Sequence, residues 1–373
     1  MREKSVEKTY MPLRITNVLF IALMLLLQSN SAVSHAATPE APFSVIWITD
    51  TQYLSESHPI YYDNLCRWIV YYAETYNVKM VIHTGDMVED EWNRTQWTSA
   101  NKAMSILLEN SIPYCWNAGN HDYNATYWIG NEYSAFNPEV MTEKPHWLGD
   151  AADGQSTAVH FSISGWDLLI INIAYQADDV TLAWANNLLD AYPESHAIVA
   201  THVYLNGTGG YSVQGKENPE WPINFRDIVL DKHANVFMTL SGHYNPTAGS
   251  RNKVGDRHEL MFNRQDRDGK MGAASLRILT FDIANDTVEV KTFVLYANQF
   301  LTDSNNNFTL DTNFRNIAAH EIPSPTPSPS PQPTESPSPA PPPEERPLFL
   351  YAIVVCVFFT AIGAVAFLLR KRR

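Results

Sequence analysis

The sequence predicts an α/β fold in which a mostly parallel sheet packs against a second sheet. Three observations carry this expectation. Short apolar runs alternate with amphipathic stretches from Ser44 to Trp116, and strand-like runs without clear intervening helices fill Glu259 to Leu295. Metal-type polar residues also recur directly after apolar runs. Strand, helix, strand, helix at this spacing requires crossover connections, and crossovers make parallel pairs.

The elements follow in order. Ser44 to Ile48 reads as a buried strand, and Pro59 to Tyr76 as a helix with Leu65, Trp68, Ile69 and Tyr72 on one side. Val78 to Ile82 is the next strand. Thr95 to Asn110 is the next helix, carrying Ala103, Met104, Leu107 and Leu108, and Ile112 to Trp116 is a third strand. Ala158 to Ile163 and Leu168 to Ile173 flank Gly165 as a hairpin. A helix over about Thr181 to Ala191 precedes strands at Ala197 to Thr201 and Val236 to Leu240. The runs from Glu259 onward are assigned to the second sheet.

The ends of the chain read as targeting segments. Residues 1–36 have the form of a signal peptide: Lys4, Lys8 and Arg14 lead into the apolar run Val18 to Leu27, followed by small residues at Ser34 and Ala36. Ten apolar residues are too few to span a bilayer. A retained N-terminal anchor is the alternative. Residues 323–347 form a Pro-rich stalk, whose missing backbone donors favour an extended, hydrated path. Residues 348–369 are uncharged, apolar and long enough for a transmembrane helix, and 370–373 form a basic cytoplasmic tail. This places the globular domain, 38–322, outside the cell as a single-pass surface protein.

With the end segments set aside, residues 38–322 hold 17 basic against 35 acidic residues, a net of −18. Such a surface repels polyphosphate, so a dedicated nucleic-acid partner is disfavoured. Of three cysteines, Cys356 falls in the apolar span. Cys66 and Cys115 are open to two readings, an extracellular disulfide or two buried thiols.

Five predicted strands end in ligand-type clusters: Asp50-Thr51-Gln52, Gly85-Asp86, Gly119-Asn120-His121-Asp122, Thr201-His202 and Gly242-His243-Tyr244-Asn245. Each alone is an ordinary turn or a satisfied histidine. Ligands gather beyond the carboxyl ends of parallel strands, so five in series at that end point to one site.

This ordered set resembles the calcineurin-like metallophosphoesterase family, whose pattern is Asp-X-His, Gly-Asp, Gly-Asn-His-(Asp/Glu), a later His, then Gly-His-X-His. The resemblance covers residues 44 to about 295, and Gly119 to Asp122 is its most specific part. It implies a four-layer α/β-β/α sandwich and a hydrolase of phosphomonoesters or phosphodiesters that uses two divalent metal ions (Mn, Fe, Zn or Mg). Carried over by position, Asp86 bridges both ions, Asn120, His202 and His243 complete one site, and Asp50 belongs to the other. A shared carboxylate can hold ions about 3.5–4 Å apart, close enough to clamp a phosphoryl group and activate water. His121 would assist the leaving group, with Asp122 orienting its ring.

Two departures fall on a single ion. Gln52 stands where the family has His, and Asn245 where the last His belongs. The resulting all-oxygen site favours a harder or more weakly held ion than its imidazole partner. The Asp-Thr-Gln start is similar to that of a secreted branch of the family. Glu89 and Asp90 replace the signatures of the protein Ser/Thr phosphatases and of the purple acid phosphatases, which removes both subclasses. Arg251, Arg264 and Arg267, in a stretch with six of the domain's basic residues, are candidates for phosphate contacts. His83 and Tyr53 are candidates for flanking roles. The expected substrate is a phosphoester small molecule or an envelope-derived phosphodiester. A catalytically weak or inactive metal-binding surface module of the same fold is the alternative.

Overall fold

A computed structural model describes residues 41–122, 127–163, 165–212, 218–245 and 249–314. The leader, stalk, apolar span and basic tail read from the sequence lie outside the described residues. Among the described residues no helix is long and apolar enough to cross a membrane.

β1 (Phe43–Ile48) is buried along its whole length and forms the centre of the first sheet. It pairs in parallel with β2 (Val78–His83), which pairs in parallel with β3 (Tyr114–Trp116). The crossovers are α1 (Gln52–Ser57) with α2 (Pro59–Tyr72), then α3 (Arg94–Glu109). Asn93 caps α3 by accepting from the backbone N–H groups of Thr95 and Gln96, a cap worth about 1 kcal/mol. α1 was not expected from the sequence, being six residues long and separated from α2 only by His58. α2 ends at Tyr72, four residues before the expected end, in a series of turns closed by Val78 N donating to Ala73 O at 2.8 Å.

The second sheet contains β4 (Trp147–Ala151), β5 (Ser156–Ile163), β6 (Trp166–Ile173), β7 (His196–Thr201), β8 (Val236–Ser241), β9 (Ser250–Val254) and β10 (Arg257–Met261). Its spatial order is β4-β5-β6-β7-β8-β10-β9, with β6, β7, β8 and β10 parallel. The expected hairpin is present as β5 and β6. α4 (Asp179–Ala191) and α5 (Trp221–Ile228) accompany this sheet.

The last strands correct the expectation for the C-terminal part. β11 (Ser275–Asp282) returns to the first sheet and pairs antiparallel with β1. β12 (Thr287–Val294), β13 (Gln299–Phe300) and β14 (Asn307–Asp311) extend the same edge, so only β10 of the Glu259 to Leu295 region belongs to the second sheet. Pairing between Trp47 and Arg277 joins residues far apart in sequence, and hydrophobic pattern alone does not choose between two sheets.

Three cores define the layers. Phe43, Val45 and Trp47 meet Leu168, Ile170, Ile198 and Leu240 between the two sheets. Ile46 and Ile48 on the other face of β1 pack with Leu65, Ile69, Met104 and Leu107 of α2 and α3. Leu169, Ile171 and Val199 pack with Leu182, Leu189 and Phe225 of α4 and α5. The order is helices, sheet, sheet, helices. Cys66 and Cys115 are free, buried thiols in different cores on opposite sides of the first sheet, which excludes a disulfide between them.

Candidate metal centre

The carboxyl ends of β1, β2, β3, β7 and β8 bring the five polar clusters together. Three of their residues sit in the left-handed backbone region: Asp50 (φ 51°), Asp86 (φ 54°) and His243 (φ 68°). Each costs about 1 kcal/mol or more in a non-glycine residue, and such strain concentrates at functional sites. The loops must also approach closely. A Cβ on Gly119 would fall on Asp86 Oδ1, and one on Gly242 would fall on Asp50 Oδ2 and Thr49 Oγ1.

Asp86, His202 and His243 converge with ligand atoms all within 4.8 Å of one another. Asn120 Oδ1 lies 3.0 Å from His202 Nε2 and 2.9 Å from His243 Nδ1, and those two ring nitrogens are 3.2 Å apart. Asp86 Oδ2 is 3.2 Å from His202 Nε2. His202 Nδ1 donates to the Thr84 carbonyl at 2.8 Å, so the neutral ring presents its Nε2 lone pair to the others. His202 thus presents a lone pair toward Asp86, Asn120 and His243, and a proton or a cation among these groups is needed to offset the repulsion. Burial would lower the His202 pKa, but the Asp86 carboxylate raises it to about 10, which expresses the same demand. Burial raises Asp86, yet His202 and then His121 bring it down to about 2.

Asp50 is fully buried and accepts from the His243 backbone N–H with both oxygens at 3.1 Å. Burial pushes its carboxyl up to about 6. Gln52, on the first turn of α1, donates from Nε2 to Asp86 Oδ2 at 3.2 Å and to Gln265 Oε1. Asn245 donates from Nδ2 to Asp266 Oδ2 at 2.8 Å. Gln52 Oε1 and Asn245 Oδ1 are both buried without a hydrogen-bond partner. Two orphaned amide oxygens, on two of the five clusters that also bring the buried Asp50 and Asp86 here, are the donor type a second, hard cation takes.

His121 donates its backbone N–H to Asp86 Oδ1 at 3.0 Å, and its Nδ1 lies 2.9 Å from the Glu89 carbonyl. The ring is about a third exposed, so Nε2 is left for a partner from solution. Burial works against the charged ring, but Asp86 and then the Glu89 groups raise its pKa above the ordinary value.

Two expectations are corrected. Asp122 does not orient the His121 ring. Its Oδ1 accepts from Met87 N at 2.7 Å and Val88 N at 3.0 Å, and its Oδ2 from Gly119 N at 2.9 Å, so it ties the β3 loop to the β2 loop. Burial pushes its carboxyl up to about 7. Arg251 is not at the cluster, because its guanidinium stacks 4.3 Å above Phe308 of β14. Arg264 turns toward Asp268 at 3.5 Å and has a buried, unpartnered Nε, as does Arg267. His83 braces the site from beneath, with Nε2 at 2.9 Å from Thr51 Oγ1 and Nδ1 accepting from Gly85 N at 3.2 Å. Burial lowers its pKa to about 3, which keeps it neutral. Tyr53 lies at the rim, where Lys270 sits 3.7 Å from its ring centroid. Gln265 and Asp266 were not expected from the sequence. Neither belongs to a motif, and only folding brings them to Gln52 and Asn245.

The fold and this cluster have the arrangement of a metal-dependent phosphoesterase domain. Residues 43–244 match the calcineurin-like phosphoesterase family, to which the chain belongs. The chain is 32% identical over 280 residues to the uncharacterised protein YvnB of Bacillus subtilis (strain 168), covering 71% of this chain and 21% of that one. It therefore spans about a fifth of the length of the curated relative it matches. Among solved structures, a dimetal phosphatase from Danio rerio is similar with a TM-score of 0.49 at 12% identity, over 73% of this chain and 99% of that one. Purple acid phosphatase PPD1 from yellow lupin is similar with a TM-score of 0.46 at 13% identity, over 79% and 57%.

Proposed function

We propose that this chain hydrolyses phosphomonoesters or phosphodiesters outside the cell, tethered by the apolar span at 348–369, with two divalent ions at the strand ends. The observation that carries the reading is the convergence of Asp86, Asn120, His202 and His243, whose ligand-type atoms meet at about hydrogen-bond distance. Asp86, Asn120, His202 and His243 would hold one ion. Asp50, Asp86, Gln52 and Asn245 would hold the other. Borderline ions such as Mn²⁺, Fe²⁺ or Zn²⁺ suit the imidazole half, while Mg²⁺ or Mn²⁺ suits the oxygen half. Bound there, the ions would supply Lewis acidity toward the phosphoryl oxygens and lower the pKa of water.

The residues themselves do the rest. Asp86 and Asp50 fix the negative charge that assembles the site, and the Gly119 loop brings His121 against it. His121, held at Nδ1 by the Glu89 carbonyl, offers a proton from Nε2 to the departing oxygen. Arg264 and Arg267 carry buried guanidinium nitrogens without partners and are the candidates for phosphate contacts. Substrates are phosphoester small molecules or envelope-derived phosphodiesters, and the Asp50-Thr51-Gln52 start supports membership of the secreted branch of the family. The net charge of −18 over 38–322 opposes a nucleic-acid substrate.

A second reading, a metal-binding surface module without turnover, is favoured by Gln52 and Asn245, which weaken one ion site. Hydrolysis of nitrophenyl phosphate and bis-nitrophenyl phosphate across a Mn²⁺, Fe²⁺ and Mg²⁺ series separates the two. Metal-dependent turnover that disappears in Asp86→Ala supports the enzyme. Tight metal binding with no turnover of either ester, or of an envelope phosphodiester, establishes the module instead.

A further inference from the structure

Gln52 and Asn245 are the two positions at which this chain lacks the imidazoles of its family, and one loop reaches both. Gln265 Oε1 accepts from Gln52 Nε2, and the next residue, Asp266, accepts from Asn245 Nδ2 at 2.8 Å. The loop is itself braced on the same segment. Asn263 accepts from Gln265 N at 2.8 Å and donates from Nδ2 to the His243 carbonyl at 3.0 Å. A turn closed by Arg267 N donating to Arg264 O at 3.0 Å completes it.

An amide has a donor end and an acceptor end, and a carboxylate can only accept. Contact with Asp266 therefore leaves Asn245 a single orientation, nitrogen toward the loop and oxygen away from it. At Gln52 the Asp86 carboxylate fixes the nitrogen in the same manner, and Gln265 takes its other proton. The two oxygens released by this arrangement, Gln52 Oε1 and Asn245 Oδ1, are buried and unpartnered. A buried acceptor left alone is unfavourable, so the loop holds both amides in a form that is favourable only when a cation or a hydrogen-bond donor meets the oxygens.

We propose that Gln265 and Asp266 are positioning residues that present the amide oxygens of Gln52 and Asn245 to the cation at Asp50 and Asp86, and so make this half of the centre select hard divalent ions. The proposal rests on the two-ion reading given above. An unconstrained Asn245 would have to be turned and held by the ion itself, at a cost in affinity that a pre-oriented amide avoids. Partners behind metal ligands act in this way in general, and their loss costs about 10–100-fold in affinity.

The test uses the purified full-length chain in detergent, stripped with chelator and titrated with Mn²⁺ by calorimetry and electron paramagnetic resonance. Wild type is expected to bind two ions. Asp266→Ala is expected to keep one at unchanged affinity and to weaken the other about 10–100-fold. Asp266→Asn keeps an oxygen that accepts from Asn245, so it is expected to restore wild-type binding. Gln265→Ala is an independent second variant with the same expected loss, and because Asp266 is exposed its variants are expected to melt like wild type. Two-ion binding that is unaffected by Asp266→Ala and Gln265→Ala overturns the proposal. So does Asp266→Asn losing as much as Asp266→Ala, which would make Asp266 a ligand through its charge. Wild type binding one ion or none overturns the two-ion reading and the positioning role with it, a result distinct from two-ion binding indifferent to the loop.

Discussion

In the imidazole half of the centre, Asn120, His202 and His243 touch one another at 2.9–3.2 Å, and His202 is anchored to the Thr84 carbonyl of the β2 loop. In the amide half, Gln52 and Asn245 do not touch each other, and each is held by a residue of the loop after β10. The first half is built from ligands that lie directly at strand ends, with geometry set by the sheets. The second depends on a loop for the identity of its ligating atoms. If both ions bind, a centre assembled this way can keep one firmly while tuning the other, because the loop meets the imidazole half at a backbone carbonyl, that of His243, and not at a ligand atom.

The largest expected effect breaks both halves together. Asp86 is the carboxylate that His202, Gln52 and the His121 backbone all meet. Asp86→Ala is expected to reduce kcat/KM by about 10³-fold or more, since metal assistance is worth several kcal/mol and each 1.36 kcal/mol is tenfold. Steady-state hydrolysis under the best metal condition measures it, with metal content read in parallel. Retention of activity and of two ions would remove Asp86 from the centre.

His121 belongs to neither half and should separate chemistry from binding. His121→Gln is expected to lower kcat by about 10²–10⁴-fold on alkyl phosphoesters, whose leaving oxygen needs a proton. The loss should be far smaller on nitrophenyl esters, whose leaving group departs unassisted, and both ions should stay bound. An equal loss on both substrates would assign His121 to phosphate binding instead.

The convergence of the candidate ligands was legible in the sequence because each follows a buried strand within four residues. A strand fixes where its next residue goes, so Asp50, Asp86, Asn120, His202 and His243 share one end of the fold. What was not legible depends on contacts between loops. Asp122 sits beside His121 in the chain, yet its oxygens turn to the backbone of Met87, Val88 and Gly119. Gln265 lies 213 residues from Gln52, and no local pattern announces that pairing. The destination of β11 was hidden for the same reason. Its alternation fits either sheet, and the choice is made by β1, more than 200 residues earlier.

Asp122 gives a stability test of the scaffold that both halves share. Replacing its carboxylate with Ala leaves three buried N–H groups without an acceptor, at about 1–3 kcal/mol each. Asp122→Ala is expected to destabilise the domain by about 3 kcal/mol or more, a drop of roughly 6–12 °C in Tm for a domain of this size. Thermal melts with chelator present isolate this from metal binding. A melt within a degree of wild type would show that the β2 and β3 loops hold together without it.

The smallest expected effect is the one that sharpens the comparison most. Gln52→His with Asn245→His restores imidazole at both departures and makes the two halves chemically alike. Imidazole suits Zn²⁺ better than amide oxygen does, so the double variant should bind its second Zn²⁺ about tenfold more tightly, while Mg²⁺ binding at that half weakens. The imidazole half should be unaffected, because neither replaced side chain touches Asn120 or His202. Competition titrations of Zn²⁺ against Mg²⁺ read both changes at once. A new imidazole at position 245 keeps a ring N–H for the Asp266 carboxylate, so Asp266→Ala should still weaken the second ion about tenfold or more in this background. If Asp266→Ala has no effect in either background, the loop does not orient the ligands, and the contrast between a sheet-built half and a loop-built half fails.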